Sequence, residues 1–157
     1  MNAWTDRPQV AAALLNPALI ATLESVAAHE YDRAGTQAMS WPLAFLVAPL
    51  VLHRPTRQAL PRDTRTHLAT WVSRNSLLRA GFPARARSLT PVVREGLRFG
   101  LRHGVLSAES GFIRGSLRPD TAEGQLGELL RAAGLVGRWL AKTNQPSTAF
   151  ALLGIAP

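Results

Sequence analysis

Residues 35–52 run for eighteen positions without a charged side chain, and from Trp41 to Leu52 nearly every residue is apolar. Such a segment has to leave water, so the rest of the chain must fold around it. A membrane span would need about 20 mostly apolar residues. This run is interrupted by Gly35, Thr36, Gln37, Ser40, Pro42 and Pro49. It is therefore read as a buried central helix over Pro42–Leu52, bent or broken near Pro49 and ended by His53-Arg54-Pro55. The N-terminal residues lack the basic start and apolar stretch of a secretory signal. The expectation is a cytoplasmic protein without a membrane partner.

Helix punctuation organises the remainder. Asn16-Pro17 is a start, since asparagine caps free amides and proline fits the first helical position. Leu19, Ile20, Leu23, Val26 and Ala27 follow at helical spacing, and Gly35 is a stop. A shorter helix is expected before it, around Gln9–Leu15. Thr66–Arg74 forms another helix, with Leu68, Trp71 and Val72 on one side. Phe82-Pro83 opens a short helix through Ser88; Thr90-Pro91 opens a longer one that buries Val93, Leu97 and Leu101 and ends at Gly104. Two β-like stretches, Val105–Ser107 and Phe112–Leu117, are joined by a four-residue turn. Asp120 and Glu123 form a capping box for a helix carrying Leu126, Leu129, Leu130, Ala133, Val136 and Leu140. The uncharged Ser147–Leu153 docks as a last short helix.

This order predicts a mostly α-helical single domain over residues 1–157. N-terminal helices fill 1–60, a winged helix-turn-helix-like core with a small β-hairpin wing fills 64–118, and C-terminal helices fill 119–157. Gly96, Gly100 and Gly104 recur every four residues on the third helix of that core. Interior glycine costs about 1 kcal/mol relative to alanine, so close packing of another helix or backbone is the expected compensation.

The formal net charge of +8 is unevenly placed, and all but one of the basic residues are arginine. Between Arg54 and Arg118 thirteen arginines face Asp63, Glu95 and Glu109, a local net of +10, while the two ends are near neutral. Arg94, Arg98 and Arg102 share one face of the candidate recognition helix. Arg85 and Arg87 on the preceding helix, with Arg114 and Arg118 in the wing, extend the positive surface. DNA, an acidic protein surface and plain solvation by water are the three readings of this face.

Catalysis finds no foothold. The absence of cysteine excludes disulfides, thiolate metal sites and a cysteine nucleophile. His29, His53, His67 and His103 lack metal-ligand spacing, no nucleophile elbow is present, and the carboxylates are scattered. The expectation is no catalytic residue, no cofactor, no metal and no small-molecule substrate. Core packing is the default for the four tryptophans; Trp4, ahead of the first helix, is the candidate partner anchor.

Whole phrases of the chain resemble a known family. They include Trp4-Thr5-Asp6-Arg7, Ala13-Leu14-Leu15-Asn16-Pro17-Ala18, Pro42-Leu43-Ala44-Phe45-Leu46-Val47 and Pro49-Leu50-Val51-Leu52-His53 with Thr56-Arg57. Further on come Gly81-Phe82, Arg85-Ala86-Arg87, Val93-Arg94-Glu95, Gly137-Arg138-Trp139-Leu140 and the closing Leu153-Gly154-Ile155-Ala156-Pro157. The chain is similar to the middle component of bacterial three-component ABC systems. The resemblance implies a non-enzymatic adaptor beside a chromosome-maintenance-like ABC ATPase and a third, variable component, acting against phages or plasmids. It assigns no residue a chemical role. The short, glycine-bearing wing departs from one built for groove insertion. A stand-alone winged-helix DNA-binding regulator is the alternative.

Overall fold

The computed structural model describes residues 15–119, 122–143 and 145–156. Among them the chain is mostly helical with one small antiparallel sheet. Helix α1 (Pro17–Ala34) is followed by the short strand β1 (Met39–Ser40) and a 3-10 turn over Trp41–Leu43. Next come α2 (Ala44–Leu52), α3 (Arg54–Ala59), α4 (Leu68–Arg74) and the long α5 (Ser76–Arg102). The hairpin β2 (Leu106–Glu109) and β3 (Phe112–Gly115) leads into α6 (Gly124–Ala141) and α7 (Pro146–Leu152).

The uncharged run is the centre of the molecule. Leu43, Leu46, Val47, Leu50 and Val51 are fully or almost fully buried, and α2 continues unbroken through Pro49. Around it α1 acts as the hub, packing chiefly on α6 and α5. The Asn16 side chain accepts from the Ala18 amide at 2.8 Å, and Gly35 closes the C-terminus, as the sequence predicts. Small residues let α1 approach its neighbours closely. Gly137 of α6 lies against the Ala27 backbone, and Gly96 of α5 against Ile20 and Ala21. Gly100 faces Ala21 and Leu106, while Gly104, at φ +76°, follows the end of α5 and meets nothing. The packing reading of the glycine repeat thus fits Gly96 and Gly100.

The sheet has order β1-β3-β2, with Met39 opposite Ile113 and Leu106 opposite Gly115. The hairpin turn has two residues, Ser110 and Gly111, both at positive φ, in place of the expected four. One hydroxyl seats this hairpin on α1. Ser25 Oγ donates to the Val105 carbonyl at 2.7 Å and accepts from the Ser116 and Leu117 amides, each at 3.1 Å. Gly115 is the only residue that fits there, because a Cβ would overlap the Ser25 carbonyl. Ser25→Ala should therefore lower stability by about 1–3 kcal/mol, the cost of orphaned buried polar groups. Chemical denaturation measures this, and hydrogen exchange should localise the weakening to the 116–117 amides.

The largest correction concerns residues 76–102. The separate helices expected over 82–88 and 90–104 are one continuous helix with Pro83 and Pro91 inside it. Each proline costs about 3 kcal/mol in a helix interior. Burial of Phe82, Ala86, Val92 and Val93 on the inner face opposes that cost. Three helices ahead of a hairpin therefore do not form over 64–118; that segment holds α4, α5 and the hairpin. Trp41 is 50% exposed rather than core, Leu101 and Leu126 are exposed, and Leu97 is half-buried. Helix α6 begins at Gly124 after Glu123, whose side chain makes no capping bond. Asp120, Trp4 and most of the expected Gln9–Leu15 helix lie outside the described residues.

Candidate partner-binding face

Arginines in this chain fall into two populations that only the fold separates. In the first, the guanidinium is a tie inside the structure. Arg57 is nearly buried; it donates to the Val51 carbonyl at 2.7 Å and to Glu128 Oε1 at 3.1 Å, joining α3 to α6. Arg79 donates to the Leu152 carbonyl at 3.2 Å, fixing the start of α5 to the end of α7. Arg138 donates to the buried Glu30 at 2.8 Å, and Arg33 approaches the same carboxylate at 3.2 Å.

Arg85, expected on the outer surface, belongs to this inner population. Its Nη2 donates to the Leu78 carbonyl at 2.9 Å and to Thr56 Oγ1 at 3.3 Å, and the guanidinium lies 5.9 Å from the Phe82 ring centre. Burial pulls its pKa below the ordinary arginine value. The His53 ring bonds the same Thr56 hydroxyl at 2.7 Å. Burial, reinforced by the nearby Arg85 charge, lowers the His53 pKa and favours the neutral ring.

Arg114 forms an ion pair with Asp32 of α1, so this wing arginine is already engaged. Arg118 is exposed in the segment after β3. The outward-facing population includes a row on α5. Arg87, Arg94, Arg98 and Arg102 are all exposed, and none forms an ion pair with a described residue. They occupy the face opposite Phe82, Ala86, Val92, Val93, Gly96 and Gly100, which are buried. The helix is about 40 Å long at 1.5 Å per residue, and three of its four exposed arginines, Arg94, Arg98 and Arg102, lie in the C-terminal half. Like charges four residues apart repel, by about 0.2–0.5 kcal/mol per pair. An anionic surface laid along them would reverse that penalty.

Other surface features are less directed. A shallow cavity of about 320 Å³ lies over the sheet and includes Ser107, Glu109, Phe112 and Arg114, groups of mixed charge. Among the described residues no cluster of three or more His, Cys, Asp or Glu side chains is assembled. No helix among them is long and apolar enough to cross a membrane.

The mostly helical fold, its small sheet and its cation-lined helix go with a family match over almost the whole chain. The model for ABC-three component (ABC-3C) system Middle Component 3 matches residues 4–157. The chain belongs to this middle-component family. No curated protein and no solved structure matches it. Membership implies the other components of an ABC-3C system as its partners.

Proposed function

We propose that this chain is the non-enzymatic adaptor of its three-component system, joining the ATPase to the third component or to DNA held by the ATPase. The observation that carries the reading is the exposed row Arg87, Arg94, Arg98 and Arg102 on one face of a helix whose other face is locked into the core. A cationic helix face of this kind is a contact device for an anionic surface. The setting is cytoplasmic defence against phages or plasmids.

The test is copurification with the products of the flanking genes. Replacing Arg94, Arg98 and Arg102 together by glutamine should weaken that association by about 100-fold, at about 1 kcal/mol for each of the three contacts. Loss should be steeper as salt rises in the wild type than in the variant. An undiminished complex from a folded triple variant would sink the proposal.

A DNA-binding regulator is the second reading. It is favoured by the succession of a helix with exposed arginines and then a hairpin, with β1 added on its free edge. That reading requires a symmetric dimer that keeps sequence preference at physiological salt. Gel-shift competition against unrelated duplexes distinguishes the two.

A further inference from the structure

The exposed face of α5 is ordered more strictly than its arginines alone show. Starting at Leu77, the exposed positions step by three and four without a miss through residues 80, 84, 87, 91, 94, 98 and 101. Besides this series only Ser76, Ser88 and Arg102 of the helix are exposed. Alternating steps of three and four are the spacing of a coiled-coil seam, which winds slowly around a helix and can stay against a second helix for many turns. Here the seam spans about 36 Å of helix at 1.5 Å per residue.

Its chemistry is divided. The N-terminal half presents Leu77, 88% exposed, with Ala80 and Ala84. The C-terminal half presents Arg94 and Arg98 and ends on Leu101, 45% exposed. The helix has one acidic residue, Glu95, which is half-buried beside the seam.

We propose that this seam seats an acidic amphipathic helix of a partner subunit, packed side by side with α5 at a shallow crossing angle. The inference rests on the adaptor reading and names the kind of surface that the arginine row meets. Carboxylates opposite Arg87, Arg94 and Arg98 supply the charge complement, and apolar side chains cover Leu77 and the two alanines, whose small size lets the helices approach. A nucleic-acid duplex fits the series less well. Its groove curves away from an α-helix within a few turns, and phosphates gain nothing from Leu77. A second copy of this chain is opposed by charge, since it would bring another set of arginines and no carboxylate to the seam.

The native chain contains no cysteine, so single cysteines report each position cleanly. Cysteine is placed at residues 80, 84, 94 and 98, with Ser107→Cys on the hairpin as a control, and alkylation is timed with each purified ABC-3C component, with a 20-base-pair duplex, and alone. One protein component should slow all four seam positions by about tenfold or more, leaving the hairpin control unchanged, as expected of residues closed into a dry interface. Leu77→Glu should weaken the same complex by about tenfold, a single buried-contact loss plus acid–acid repulsion. Circular dichroism confirms that the variants fold.

Binding of a component that protects residues 94 and 98 but not 80 and 84 overturns the inference and leaves the adaptor reading standing, whereas binding that protects none of the four overturns both. Protection of residues 94 and 98 alone, by the duplex, makes the face a nucleic-acid surface. Protection in the chain alone, rising with its concentration, makes it a self-association surface. Failure of every component to bind overturns the adaptor reading and the inference together.

Discussion

Glu24→Met should make the protein more stable at neutral pH, by about 1–3 kcal/mol, the usual penalty of a buried polar group without a partner. Glu24 lies on α1 with no exposed surface, and neither carboxyl oxygen has a hydrogen-bond partner among the described residues. Six residues later Glu30 is buried to nearly the same degree but meets both Arg138 and Arg33. The contrast isolates what is missing at Glu24. Burial alone raises its pKa well above the ordinary 4.5, so the folded protein holds the proton more tightly than the unfolded chain.

The sign of the pH effect follows from that raised value. Below about pH 4.5 the carboxyl is protonated in both states and costs least. As pH rises from there, the unfolded chain ionises first, and folding loses stability until the folded-state pKa is passed. The gap between Glu24→Met and the wild type should thus widen upward from about pH 4.5 and then level off. Glu24→Gln should remove the same pH dependence with a smaller gain, because its amide also lacks partners. Urea unfolding across pH measures both. A destabilised Glu24→Met, or a gap independent of pH, would contradict this account.

Gly137→Ala should do the opposite, at a cost of about 3 kcal/mol, the upper end for overpacking a core. In an exposed helix the same change would stabilise by about 1 kcal/mol through propensity. At Gly137 the added Cβ would overlap the Ala27 backbone carbonyl of α1, and backbone cannot step aside as a flexible side chain can. Helices α1 and α6 would have to separate along their largest contact. Thermal unfolding should show a lowered midpoint, and Gly137→Ser should resemble alanine, since both add the same Cβ. A neutral or stabilising result would mean that the two helices sit further apart than the structure places them.

How much of this was legible in the residues depends on the range of each interaction. The start of α1 is written locally: Asn16 caps an amide two residues away and Pro17 takes the first turn. The central burial of Leu43–Val51 follows from the absence of charge. Local rules mislead at Pro83 and Pro91, where they imply two helix starts and the buried inner face overrides them. With the helix cut there, the unbroken series from Leu77 to Leu101 cannot be seen, although every member of it is in the sequence. The roles of the arginines are long-range. Arg85 and Arg94 look alike as letters, yet one caps the Leu78 carbonyl and the other faces water. Strand β1 has two residues and exists because β3, more than seventy positions later, pairs with it.

Helix α5 is held as a beam is held, at both ends and in the middle. Arg79 fastens one end to the Leu152 carbonyl, and the other runs into a hairpin secured by the Ser25 hydroxyl. On either side of midspan Ala86 and Val92 are buried, and nearer the C-terminal end Gly96 and Gly100 bring the backbone against Ile20 and Ala21 with no side chain of their own between. A partner on the outer face therefore holds a helix that is packed directly against α1. Helix α1 in turn packs on the strands and on α6, so that whatever grips the outside of this helix takes hold of the core as a whole.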